Sequence, residues 1–263
     1  MDIYEYMRVG ENEKPLDRIA TDGGFCSIFR TIGCVGDSLS SGEFESIDEE
    51  GKKHYHDFYD YSWGQFIARS TGSKVYNFSR GGMTAKWYVD SFAKERGFWD
   101  SDKACQAYII ALGVNDILCQ NMELGTIDDI DKEDCEKNKD TFAGNYAKII
   151  QRLKKIQPRA KFFLVTMARY GDESDSKKIG HRNLLKQLTE LFDRTYLIDL
   201  LEYAPVFDKE FFEKYWLGHM NPMGYNLMAK MIQSYIDFII RKNPKDFAQV
   251  GFIGTDLYYE KDD

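Results

Sequence analysis

The sequence predicts an α/β fold: one parallel sheet covered by helices on both faces. Three observations carry this expectation. Five short apolar runs recur along the 263 residues, at 31–35, 74–79, 106–112, 162–167 and 195–200. The run at 31–35, apolar and bounded by turn residues, has the pattern of a parallel strand covered on both faces. Segments with apolar residues at helical spacing separate the runs, the order expected of right-handed crossovers between parallel strands. The first three runs break at their carboxyl ends into Gly36-Asp37-Ser38, Gly81-Gly82 and Gly113-Val114-Asn115, and the carboxyl edge of such a sheet is where ligands bind.

Composition narrows the class. Hydrophobic residues make up 43% and aromatics 15%, enough for a packed core. Lys and Arg number 35 against 43 Asp and Glu, for a net charge of -8. No basic block stands out, so a nucleic-acid surface is not expected. Five cysteines at 26, 34, 105, 119 and 135, with no C-x-x-C pair, fit free thiols in a reducing compartment. The first residues lack a basic and an apolar region, and no apolar run reaches membrane-spanning length, so a cytoplasmic protein without membrane partners is expected.

In order, residues 1–30 read as an N-terminal arm, a short strand or extended segment with turns at Pro15-Leu16-Asp17 and Asp22-Gly23-Gly24. The first strand, 31–35, feeds the Gly36-Asp37-Ser38 turn. Residues 42–60 are acidic and rich in Tyr and His, without a clean period, and read as a surface excursion. Ser62 is placed to cap a helix from Trp63 to about Ser70. The strand at 74–79 is followed by helix around 84–96. The run from Gln106 to Leu112 is the third strand, and 119–140 reads as loop. Phe142, Tyr146, Ile149, Ile150, Leu153 and Ile156 recur at helical spacing, closed by Pro158. The fourth strand at 162–167 leads into a polar loop over 168–180, able to fold over a site. A helix marked by Leu184, Leu185, Leu188 and Leu191 precedes the fifth strand. Pro222 opens the last long helix, and Phe247, Phe252 and Ile253 suggest that the tail packs down. The simplest organisation is one domain with its core at 31–242, the arm before it and a tail at 243–263.

The strand ends carry the chemistry. Acyl transfer needs a nucleophile, a base and donors aimed at a developing oxyanion. Ser38 can supply the nucleophile. The N–H groups of Ser38 and Gly82 and the side-chain amide of Asn115 can supply the donors. Taken singly, each has a plainer reading: Gly-Asp-Ser as a turn with a helix cap, Gly81-Gly82 as a turn, Asn115-Asp116 as a cap. The base must be one of His54, His56, His181 and His219. Residue chemistry does not choose decisively among them, although His219 has the best setting, in a loop just before the last helix. Arg80, Arg169 and Tyr170 fall on loops of the same edge and are candidates for holding a polar or anionic substrate.

Together, Gly36-Asp37-Ser38-Leu39-Ser40, Gly82, Gly113-x-Asn115-Asp116 and His219-x-Asn221-Pro222-x-Gly224-Tyr225 resemble the blocks of the SGNH (GDSL) hydrolase family, in the family's order. The resemblance implies a flavodoxin-like, three-layer α/β/α sandwich on a five-stranded parallel sheet. It implies a serine esterase of carboxylic esters (short acyl or acetylated carbohydrate), working through an acyl-enzyme, with a small-molecule ester as partner and no cofactor or metal. It carries Ser38 over as nucleophile, His219 as base, and Ser38, Gly82 and Asn115 as oxyanion hole. The rival readings are a non-catalytic flavodoxin-like binding module, against which stands the lack of Gly-x-Gly-x-x-Gly or a P-loop, and a degenerate hydrolase.

One departure stands out. Members of the family usually carry an Asp three residues before the histidine, and here that position is Trp216. A Ser38–His219 dyad is therefore expected, with the Trp216 main-chain carbonyl accepting from Nδ1–H to fix the tautomer. Asp37 and Glu213 are the alternatives.

Overall fold

The computed structural model describes residues 3–253. Its centre is a five-stranded parallel sheet built of β1 (Thr31–Gly36), β4 (Lys74–Ser79), β5 (Ala107–Ala111), β6 (Lys161–Val165) and β7 (Thr195–Ile198), in the order β4-β1-β5-β6-β7. Alternate residues of each strand enter opposite layers, because side chains point to the two faces in turn. Val35, Tyr108, Ile110, Phe162 and Leu164 pack on one side against the helices Phe142–Ile156 and Asp175–Leu191. Ile32, Cys34, Ile109, Phe163 and Val165 pack on the other against Trp63–Thr71 and Pro222–Lys242. This is the three-layer α/β/α sandwich that the alternation of elements predicts.

The helix boundaries follow from local chemistry. Ser62 accepts from Gln65 N–H, Thr141 from Gly144 N–H and Asn221 from Gly224 N–H, each capping the helix that follows. Gly72 ends the first of these in the left-handed conformation.

Three expectations are revised. The helix expected at 84–96 is interrupted: a π turn at Tyr88–Phe92 separates Ala85–Trp87 from Ala93–Glu95 and turns Tyr88, Val89 and Phe92 inward together. The polar loop over 168–180 is shorter than expected, since Asp175 accepts from the N–H groups of Tyr170 (2.9 Å) and Gly171 (3.0 Å) and draws the helix start back to itself. The N-terminal arm holds no strand among the described residues but a helical turn, Ile3–Met7, and a 3-10 turn, Gly24–Ile28.

The excursion at 42–60 is an ordered antiparallel hairpin. β2 (Glu43–Ile47) pairs with β3 (Lys53–Asp57) in the register Glu43↔Asp57 and Glu45↔Tyr55. A second small ribbon, β8 (Trp216–Leu217) and β9 (His219–Met220), lies just before the last helix. The tail packs through Phe247, which is buried against Phe29 and Phe163; residues beyond Ile253, within the expected tail, lie outside the described residues.

Candidate active site

β1 ends at Gly36, where any side chain would collide with Ser40, so only glycine lets the chain turn so tightly. Asp37 then caps the one-turn helix Ser38–Ser41 by accepting from Leu39 N–H (3.0 Å). Ser38 is thus fixed on the first residue of a helix at the carboxyl edge of the sheet.

The strands on either side of β1 end level with it, since Gly36 pairs with Ser79 of β4 and Ala111 of β5. Beyond β4, Gly82 takes a φ of 71°, a conformation that favours glycine. Beyond β5, Asn115 donates from Nδ2 to the Met83 carbonyl (3.1 Å), which ties it to the Gly82 turn. An amide carries two N–H groups, so one remains for a second acceptor. Asp116 stiffens the same corner by accepting from Ala85 N–H (2.8 Å).

Of the four histidines, His219 meets Ser38: its Nε2 lies 3.1 Å from Ser38 Oγ. The other three are engaged elsewhere. His54 pairs with Asp48 (2.7 Å) and His56 with Ser46 Oγ (2.8 Å), both on the hairpin. His181 is fully buried, with Nε2 3.1 Å from the Leu112 carbonyl. Burial pulls its pKa down to about 4, so at neutral pH it is an uncharged support under Gly113.

The carboxylates around His219 were not foreseen. Nδ1 lies 3.1 Å from Glu45 Oε1. The expectation that the Trp216 carbonyl serves this nitrogen is therefore corrected. Trp216 runs opposite Met220 in the small ribbon, donates from its indole to the Gly218 carbonyl (2.7 Å), and stacks beside the imidazole at 6.4 Å between centroids. Neither alternative occupies the place: Asp37 caps Leu39, and Glu213 pairs with Lys209 (3.7 Å). Glu43, two residues before Glu45 and hence on the same strand face, sets its Oε1 3.2 Å from Nε2. Burial raises the Glu43 carboxyl against the opposing pull of His219. Sequence reasoning missed both because it assigned no strand to 42–60. The one local signal was the turn residues at Asp48–Gly51, with no clean alternation on either side.

Arg80 lies over the Trp87 ring (5.1 Å) in a groove shared with Asp57, Asn77 and Arg96. Arg169 donates to the Leu201 carbonyl (3.3 Å), and Tyr170 stacks on Phe207, so both are engaged in packing the loop that follows β6. Tyr170, with Leu39, Ser40, Leu112, Met167 and Met228, also lines a small apolar cavity of about 50 Å³ behind the nucleophile turn. No group of His, Cys, Asp and Glu among the described residues is arranged to hold a metal ion. None of the helices described is long and apolar enough to cross a membrane.

The serine hydroxyl thus meets a histidine nitrogen at the carboxyl edge of an α/β/α sandwich. The chain belongs to the GDSL-like lipase/acylhydrolase family, which its sequence matches over residues 34–227. No curated protein matches it. Among solved structures it is similar to a family two carbohydrate esterase from Clostridium thermocellum in complex with cellohexaose (15% identity, TM-score 0.57, covering 82% of this chain and 65% of that one). It is also similar to a protein from Lactobacillus plantarum (18%, 0.58, 80% and 97%) and to a Clostridium thermocellum family 3 carbohydrate esterase (13%, 0.52, 81% and 97%). At these identities the likeness establishes the fold. The family establishes an enzyme that hydrolyses ester bonds.

Proposed function

We propose that the protein is a serine esterase of small carboxylic esters, acting through an acyl-enzyme on Ser38. The observation that carries this reading is the 3.1 Å contact between Ser38 Oγ and His219 Nε2, at the edge where Gly82 and Asn115 converge. With the His219 proton on Nδ1, Nε2 offers its lone pair to the Ser38 hydroxyl. Ser38 Oγ attacks the acyl carbon as Nε2 takes its proton. The tetrahedral oxyanion rests on the N–H groups of Ser38 and Gly82 and on Asn115 Nδ2, donors held in place before the charge develops. Collapse breaks the ester C–O bond, and Nε2 returns the proton to the departing alcohol. A water molecule, deprotonated by the same nitrogen, then attacks the acyl-enzyme and releases the acid and Ser38.

An acetylated carbohydrate is the substrate class we favour. Two of the similar structures are carbohydrate esterases by title.

Ser38→Ala is expected to abolish hydrolysis of p-nitrophenyl acetate, and a fluorophosphonate is expected to label Ser38 alone. Full activity in that variant overturns the assignment. Release of acetate from an acetylated sugar is expected of the wild-type protein and not of Ser38→Ala.

A further inference from the structure

We propose that Glu45, delivered by the β2–β3 hairpin, is the positioning residue for His219 and stands in for the Asp that the family carries three residues before the histidine. This rests on Ser38 and His219 acting as nucleophile and base.

Four observations support it. First, strand geometry aims the carboxylate. In β2 alternate residues share a face, so Glu43 and Glu45 both turn to the imidazole while Phe44 between them packs on Tyr225 and Tyr61. Second, Glu45 is held at both oxygens: Oε1 by His219 Nδ1 at 3.1 Å and Oε2 by Lys53 Nζ at 2.9 Å, from the neighbouring strand. The Lys53 contact is the largest influence keeping the Glu45 carboxyl below the ordinary range, so it is ionised at neutral pH. Third, the backbone makes room. Gly218 has a φ of 74°, and a side chain there would run into the Glu45 carboxylate. The glycine that precedes the histidine is the seat of the carboxylate. Fourth, the hairpin is anchored independently of the catalytic pair: the Tyr225 hydroxyl donates to the Glu43 carbonyl (2.8 Å) and Phe58 N–H to the Gly42 carbonyl (2.9 Å).

The consequence is chemical. An acceptor on Nδ1–H keeps the proton on that nitrogen, leaves the Nε2 lone pair facing Ser38 Oγ (3.1 Å) and the Glu43 carboxyl (3.2 Å), and stabilises the imidazolium once Nε2 has taken the serine proton. Position 216, where the acid usually stands, is thereby released to carry a tryptophan, whose ring lies near-parallel to the imidazole at 6.4 Å between centroids.

The test is a set of variants assayed on p-nitrophenyl acetate and by fluorophosphonate labelling, with circular dichroism to check folding. Glu45→Ala and the near-isosteric Glu45→Gln are each expected to lower kcat by about 100-fold or more with KM within about threefold, and to slow labelling of Ser38 in parallel. Glu45→Ala combined with Trp216→Asp is expected to recover at least about tenfold of the loss, because the carboxylate returns at the family's usual position. Glu45→Ala with Trp216→Asn is expected not to recover. Wild-type kcat in a folded Glu45→Gln protein overturns the proposal, as does equal recovery with Asp and Asn at 216. If Ser38→Ala is inactive while the Glu45 variants are unimpaired, the positioning role fails and the esterase reading stands. If Ser38→Ala retains activity, that reading fails first.

Discussion

Asp37 sits beside Ser38, yet its carboxylate caps Leu39 and not His219, in a buried site. Burial pushes its pKa up to about 7, further raised by Asp116 and Glu43 and opposed by the Leu39 N–H. Its pKa in the unfolded chain is about 3.9. Between these values the native protein holds more protons than the unfolded one, so stability falls as the pH rises from about 4 to about 7. Asp37→Asn keeps the cap and removes the titration. Its stability relative to the parent is expected to improve on going from pH 5 to pH 8, by at most about 3 kcal/mol, as read by urea unfolding at both values. A difference that stays flat with pH would mean that this carboxyl is not desolvated. The turn at Ser38 was legible because Gly36 and Asp37 are local signals. His219 was not decided by residue chemistry, although its loop before the last helix was the best of the four settings, and only the family's His-x-Asn-Pro block singled it out.

At the scale of elements, the five parallel strands could be read directly from the sequence, the central ones because burial on both faces removes polar residues from the run and the edge ones from their apolar residues between turn signals. The hairpin could not. β2 and β3 expose most of their residues, and the two carboxylates that face inward carry the residue type that normally marks solvent. The expected acceptor on Nδ1 was accordingly sought within the His219 loop, when it comes from 174 positions away in the chain. Gly218 connects the two elements. Gly218→Ala strains a left-handed backbone position by about 1 kcal/mol and pushes on the Glu45 carboxylate. It is expected to leave the protein folded and to lower kcat on p-nitrophenyl acetate by about tenfold or more. Unchanged turnover in that variant would show that Glu45 tolerates displacement.

At the scale of the molecule, the arm before β1 is tied to the last helix by polar contacts and not by sheet pairing. Ala20 N–H donates to Ser234 Oγ (2.9 Å) and Phe25 N–H to Asp237 Oδ1 (2.8 Å). Arg241, almost wholly buried, pairs with Asp237 (2.8 Å) and Glu13 (2.7 Å) and donates to the Arg8 carbonyl (3.1 Å). Removing one member of a buried ion network strands the others. Arg241→Ala is expected to cost about 3 kcal/mol or more in urea unfolding, while Ser38 of the folded protein still reacts with a fluorophosphonate. A loss under about 1 kcal/mol would show that water replaces the guanidinium. The sequence signalled an arm here but not its attachment, because single polar residues on an otherwise apolar helix carry no partner's name.

The pleat of the small hairpin sets a strict parity on the site. Only every second position of β2 faces the imidazole, so the count of residues between Ser38 and Glu45 matters as much as their identity. Adding or deleting one residue in that span, with the strands still paired, would present Phe44 to the histidine and send both carboxylates to the opposite face. Two residues would restore the facing. The spacing from Ser38 to Glu45 is therefore constrained in steps of two, in a stretch that otherwise reads as unremarkable surface.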